Sequence, residues 1–407
     1  MAQAATAPVY DPSDPETIRN PYPALLALQR DDPVHRHPRL KAWILTRWDD
    51  VRRALNAPEM SVDRIRPFYA GLPPAERSVL EEIVRYLSLW LVFRDPPEHT
   101  RLRRLMGRAF TLTAVEGLRP GVEEIAERLL DGLPTDRETD FTAEFAMPLP
   151  AYVIMDLLGV PRERMPAMKA WSDEMQLFIG SAQGAPDKYA RAAHGAREMA
   201  GLFRELIEDR RRAPREDLIS KLIAARDEDD ALSEDELIAA CMLVLFGGHE
   251  TTTNLLSTGF LKFLRHPEQA ERLRAEPALA PLAVEECLRL DGPSGAMARL
   301  VAEDHEVRGR RLAAGDRVFA MLNAANQDPE AFDRPGEFDV ARKPNRHVTF
   351  GYGTHFCMGA MLARLEGEVA FTRLVERFPN ARLAGRPDWH ATLIMRGTTR
   401  LPVRLAP

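Results

Sequence analysis

Phe350-Gly351-Tyr352-Gly353-Thr354-His355-Phe356-Cys357-Met358-Gly359 sets two glycines and a lone cysteine directly ahead of a long amphipathic run, residues 358–378. Gly351 and Gly353 permit a tight bulge and a close approach of backbone to a flat ligand. The run that follows has helical period, so Cys357 falls at a helix N-terminus. Free N–H groups and the helix dipole stabilise a thiolate at such a place. That thiolate can be a metal ligand, a nucleophile or a redox thiol. The plainer alternative is a Gly-rich loop around a buried cysteine.

Upstream, residues 233–264 form the longest clean helical run. Ser233 and Glu236 make a capping box ahead of it, and His266-Pro267 closes it. Its middle, Leu243 to Phe246, is apolar on every side, which predicts a buried helix. Gly247-Gly248-His249-Glu250-Thr251-Thr252 follows. Two helical glycines cost roughly 1 kcal/mol each relative to alanine, so something needs the space. His249-Glu250 starts the zinc pattern H-E-x-x-H, but Thr253 stands where the second histidine belongs. Glu250-Thr251 remains as an acid beside an alcohol.

Two further strings carry charge at helical spacing. Glu286 and Arg289, three apart, share a helix face and can pair, as many weak surface pairs do. Asp95-Pro96-Pro97 is a helix start, and His99 and Arg103 then project from one face.

Helices are also predicted at 15–30, 48–56, 74–89, 97–109, 114–131, 150–158, 166–181, 192–211, 216–225, 268–275 and 280–290. Strands are few: 34–45, 298–307, 318–322 and a terminal hairpin within 393–405. Residues 328–347 show no period and read as a long irregular segment. The expected class is therefore mainly α with a small β region, α+β. It is organised as a flexible N-terminus, residues 1–10, and a single domain, 11–407.

The 407 residues are 45% hydrophobic and 29% charged, the mix of an ordinary globular protein rather than a disordered or collagen-like chain. A net charge of -6 argues against a general nucleic-acid binder. Cys241, Cys287 and Cys357 are odd in number and far apart, which disfavours a disulfide framework or a Cys-rich zinc site. No apolar run reaches the roughly 18 residues of a membrane span. The N-terminus lacks the layout of a signal peptide, so the expected location is cytoplasmic, without a membrane anchor.

The string F-G-x-G-x-H-x-C-x-G resembles the haem-binding signature of the cytochrome P450 family at every defined position. The resemblance extends over nearly the whole chain, with the other strings in matching order. It implies the P450 fold, a long central helix over haem b, and Cys357 as the proximal thiolate ligand of the iron. Phe350, Gly351 and Gly359 belong to the same loop. His99, Arg103, Arg299 and His355 are similar to residues that meet the haem propionates. The family's acid–alcohol pair, here Glu250 and Thr251, lies over the distal face of the haem; there the alcohol stabilises dioxygen and the acid feeds protons in through water. Glu286 and Arg289, with Arg342 as third member, would support the cysteine loop structurally.

A pocket over the haem is expected from Leu243, Phe246, Gly247, Gly295, Ala296, Ile394 and Met395. Residues 61–93 and 165–195 resemble substrate-contacting segments. All of these are also consistent with plain core packing. Together they imply a small lipophilic substrate. The resemblance implies a soluble, bacterial-type monooxygenase that uses O2, with NAD(P)H acting only indirectly. No G-x-G-x-x-G occurs at the cysteine loop, since Phe356 stands where the third glycine belongs. Electrons would come from a ferredoxin or flavodoxin with its reductase. Arg101, Arg104, Arg108, Arg342, Lys343, Arg346 and Arg364 would form the docking patch of a monomer. The rival readings are a peroxide-driven peroxygenase and a haem sensor or carrier without turnover. Glu250-Thr251 counts against both.

Overall fold

The capping box at Ser233 forms as its sequence predicts. The Ser233 hydroxyl accepts the Glu236 N–H at 3.3 Å, and the Glu236 carboxylate accepts the Ser233 N–H at 2.8 Å. From there helix Glu234–Arg265 runs 32 residues, which at about 1.5 Å per residue crosses the whole molecule. It packs on helices Pro148–Leu158, Ala360–Arg377, Ala280–Asp291 and Lys188–Arg212. Of its apolar middle, Leu245 and Phe246 are buried while Leu243 and Val244 are half-buried, and His266 ends it where Pro267 begins the next helix.

This computed structural model describes residues 10–180, 187–226 and 230–406. The expected flexible N-terminus lies outside them except for Tyr10, as does part of the expected substrate segment 165–195. Among the described residues the fold is mainly helical with a small β region, the expected class.

Two predicted helices are each divided. Residues 15–30 form Pro15–Arg19 and Tyr22–Asp31, because the residue before Pro21 is steered away from helical backbone. Residues 114–131 form parts of Leu112–Glu116 and Arg119–Asp131, with Gly117 ending the first and Pro120 opening the second.

The main sheet has five strands. Val34–His37 pairs with Ala42–Leu45, which lies parallel to Arg317–Ala320. Met297–Val301 pairs antiparallel with Arg317–Ala320 on one side and with edge strand Met60–Ser61 on the other. The predicted strand 298–307 is two strands, since His305–Val307 turns away to form its own hairpin with Arg310–Leu312. The expected terminal hairpin is absent. Thr398–Arg400 pairs with Asp388–Trp389, and Pro402–Arg404 joins Glu138–Asp140 and Arg382–Leu383.

Residues 326–352 contain neither helix nor strand, so their backbone polar groups need other partners. Two buried guanidinium groups supply many of them. Arg289 donates to the carbonyls of Asn326, Pro335 and Glu337 at 2.7–2.9 Å. Arg342 donates to those of Asp333, Arg334 and Glu337 at 2.6–3.1 Å. Both also clasp the fully buried Glu286 carboxylate. The irregular segment is thus wound around one ion triad.

Candidate active site

The cysteine loop turns on Gly351 (φ +77°) and Gly353 (φ +70°), left-handed backbone that other residues adopt at a cost. A Cβ on Gly353 would also collide with the Asn56 side chain, whose Oδ1 accepts the Thr354 N–H at 3.1 Å. The turn brings the Cys357 N–H to the Phe350 carbonyl at 2.8 Å. Helix Ala360–Arg377 starts just beyond, with Gly359 as its N-cap. Burial pushes the Cys357 thiol up. The N–H groups of Gly359 and Ala360 and the charges of Arg103 and Arg364 pull the other way, toward thiolate. Arg364 is itself fixed, lying 4.6 Å over the Phe350 ring while bonding Glu285 at 2.6 Å. Cys357 is exposed and lines a cavity.

That cavity, about 310 Å³, separates the cysteine loop from the long helix. Phe350, His355, Cys357 and Gly359 form one wall; Leu243, Gly247, Gly248 and Thr251 form the other. The two glycines serve different ends. A Cβ on Gly247 would meet nothing within 4 Å, whereas one on Gly248 would press Ile154 Cδ1 at 2.6 Å. Gly247 therefore keeps the cavity wide, and Gly248 lets helix Pro148–Leu158 pack closely. The Thr251 hydroxyl donates to the Gly247 carbonyl at 2.7 Å, a back-bond that loosens and bends a helix.

Glu250 points elsewhere. Its carboxylate is buried, 3.0 Å from His249 Nε2 and 3.4 Å from Lys169 Nζ on helix Met165–Ile179. Burial pushes the Glu250 carboxyl up, but His249, Lys169 and His390 outweigh that and hold it well below the usual range. Burial likewise lowers His249 while Glu250 raises it, and the net direction is up.

One end of the cavity is cationic. His99 is buried with neither ring nitrogen hydrogen-bonded, and its ring centroid lies 4.0 Å from that of His355. Burial, with His99 and Arg299 next, pulls His355 down to about 3. Arg103 lines the same end. Arg299 lies behind His355, buried, donating to the Leu55 and Ala298 carbonyls.

The other expected pocket residues lie off this cavity. Phe246 packs on Trp90 at 5.4 Å, and Ala296 is buried in a separate core cluster with Ile44 and Met321. Gly295 and Met395 line a second cavity of about 30 Å³ beside Tyr10 and Arg396. Ile394 lies in a loop whose carbonyl accepts the Gly295 N–H at 2.7 Å, so these two segments zip to one another. Of the expected docking patch, Arg342 is buried on Glu286, Arg101 is paired with Asp230 and Glu236, and Arg364 with Glu285. Lys343 and Arg346 remain exposed.

Three groups at or near the site escaped the sequence reading. Lys169 sits beyond any motif. Glu366 lines the cavity with Oε2 unpartnered, and burial pushes its carboxyl well up. Its spacing of four from Leu362 on an otherwise apolar helix face was the available signal. Arg64, over the Phe93 ring, flanks the cationic end beside Arg299.

A family model described as cytochrome P450 matches residues 73–387. The chain belongs to the cytochrome P450 family. A relative named Vitamin D(3) 25-hydroxylase, from Pseudonocardia autotrophica, is 40% identical over 396 residues, covering 96% of this chain and 94% of the relative. Polyketide biosynthesis cytochrome P450 PksS of Bacillus subtilis is 36% identical, covering 98% and 99%. The solved structure of P450BioI, in complex with an acyl carrier protein ligated to hexadec-9Z-enoic acid, superposes with a TM-score of 0.88 at 32% identity, covering 96% and 99%. This chain is thus an oxidoreductase of the P450 monooxygenase class, with haem b as cofactor and O2 as co-substrate. No helix among the described residues is long and apolar enough to cross a membrane.

The P450 cofactor fits what the chain presents. The cavity lies between Cys357 and the glycines of the long helix, with both His99 ring nitrogens unsatisfied and Arg103 beside them. A macrocycle bearing two carboxylates would answer both features.

Proposed function

We propose that this P450 inserts one oxygen atom from O2 into a lipophilic substrate, with electrons supplied by a separate ferredoxin-type protein. The observation that carries this reading is the cavity itself. It has Cys357 on one wall, Thr251 on the other, and apolar sides from Leu91, Val92, Ile154, Leu243 and Met297. Haem bound there supplies the redox chemistry that activates dioxygen.

The chain supplies position, dryness and protons. Cys357 would hold the cofactor, its sulfur steadied by the Gly359 and Ala360 N–H groups. Gly247 leaves room above. The Thr251 hydroxyl, one rotation from its Gly247 partner, offers a hydrogen bond into that room. Glu250 reaches the same space only by turning from buried His249 and half-buried Lys169, so we assign it to carry protons between those two groups and the Thr251 side. The relatives' names, a vitamin D3 hydroxylase and a polyketide-pathway P450, support an extended lipophilic substrate. On the cysteine side, exposed Tyr352 and Phe356 with Lys343 and Arg346 nearby in sequence offer an apolar and basic surface to an acidic electron donor.

The test is turnover of a lipophilic substrate set with NADH and a ferredoxin–reductase pair, against hydrogen peroxide alone. Product from the NADH system, with Thr251→Ala diverting electrons to released peroxide, is the expected result. Product from peroxide alone, or equal product per electron in Thr251→Ala, would overturn the assignment.

A further inference from the structure

Among the described residues, none answers the charge of Arg64 with an ion pair. It follows edge strand Met60–Ser61, whose Ser61 pairs with Leu300, the neighbour of Arg299. Its guanidinium carbon lies 4.9 Å over the Phe93 ring, at the approach to the helix that carries His99 and Arg103. The nearest acids in sequence are engaged elsewhere. Asp63 pairs with Arg66, and Asp95 accepts from the Ser61 hydroxyl and from the Val62 N–H at 3.0 Å. Among the described residues Arg64, Arg103 and Arg299 each lack an ion pair. Burial draws Arg64 down to about 10, and Arg299 likewise, with Arg64 adding to the fall at Arg299. The two arginines therefore sit close enough to repel.

The charges around this end can be counted. Arg64, Arg103 and Arg299 are guanidinium cations, and Asp95 is the carboxylate beside them. The sum is a surplus of two positive charges in a half-buried cluster, a cost that an outside dianion would offset. Without Arg64 the surplus is one.

We propose that Arg64 binds a carboxylate that the chain itself does not supply, and that this is a haem propionate, which makes Arg64 a third arginine of the cofactor cradle. The inference rests on the P450 reading of the site. The same chemistry has a second source, the carboxylate of a fatty-acid-like substrate, and the test separates the two.

Native, Arg64→Gln and Arg64→Lys holoproteins are compared in three measurements. They are haem transfer to apomyoglobin, the propionate bending band in the resonance Raman spectrum, and spin-state titration with dodecanoic acid against dodecanol. Losing a charge-assisted hydrogen bond is expected to speed haem transfer about tenfold in Arg64→Gln. The bending band should move, Arg64→Lys should lie between, and the acid-to-alcohol affinity ratio should not change. An unmoved band with native haem transfer overturns the proposal. A fallen acid-to-alcohol ratio with an unmoved band assigns the carboxylate to substrate and overturns the haem assignment. A lowered melting temperature alone marks Arg64 as mere packing on Phe93 and overturns both. If Arg64→Gln does not fold, the band in Arg64→Lys decides. Native protein that binds no haem removes the P450 reading of the site itself, a distinct failure.

Discussion

Arg342 Nε stands 3.0 Å from Glu286 Oε1, joining positions 56 residues apart in the chain. Through this contact the helix Ala280–Asp291 governs a segment with no regular structure, and that segment leads directly into the cysteine loop. Asn345 donates to the other Glu286 oxygen at 3.1 Å, and the Asp339 N–H to the first at 3.1 Å. Glu286 is therefore the hub, and Arg289 and Arg342 are the cations that make its burial tolerable.

Removing one member should strand the others. Glu286→Ala leaves two buried guanidinium groups facing each other, a loss of about 3–5 kcal/mol. We expect Glu286→Ala and Arg342→Ala to accumulate little haem-loaded protein, read as haem absorbance per chain and melting temperature. Native haem content in either would show that the loop stands without the triad.

The two glycines of the long helix should part company. Gly247→Ala gains helix propensity, up to about 1 kcal/mol, and meets no clash, so its melting temperature should equal or exceed the native value. It also narrows the cavity, so bulky ligands should bind more weakly. Gly248→Ala presses on Ile154 and should melt lower. The melting curves of the two variants check this directly.

Gly353→Ala should injure the cysteine loop itself. It places a Cβ at φ +70° and against Asn56, a strain of about 1–3 kcal/mol. The expected outcome is a carbon monoxide complex that converts readily to an unshifted, imidazole-like spectrum, while helix content by circular dichroism is unchanged.

Much of this site was legible because its motifs are local. Cys357, His355 and the two left-handed glycines lie within a few residues, and helical spacing alone puts His99 with Arg103 and Glu286 with Arg289. The Ser233 capping box is local too, and it fixed the start of the long helix. What was not legible depends on distant packing. Nothing near Lys169 announces Glu250, and nothing near Arg64 announces Arg299. Ile394 and Met395 have strand-like composition, yet their backbone pairs with residues 293–295, and it is Pro293 and Ser294 of that pair of segments that line the haem cavity. Arg342 looked equally suited to a surface patch and to a buried ion triad; only the burial of Glu286 separates the two.

Acid should weaken the support under the loop through Glu285. Burial pushes this carboxyl up, but hydrogen bonds from His347 and Arg364 prevail and hold it at about 2, below its ordinary 4.5. A depressed folded-state pKa adds stability that is present above the unfolded value and is lost as pH falls through the folded one, here up to about 3 kcal/mol. The stability gap between native protein and Glu285→Gln should therefore be full at pH 6 and close between pH about 4.5 and about 2. A gap independent of pH across that window would show that the Glu285 charge contributes nothing.

The central claim is that Cys357 holds haem as a thiolate, and the reduced-plus-carbon-monoxide minus reduced difference spectrum of freshly purified protein tests it most directly. The account predicts a strongly red-shifted Soret band, lost in Cys357→Ala. An unshifted band in the native protein, or a red-shifted band that survives in Cys357→Ala, would contradict it.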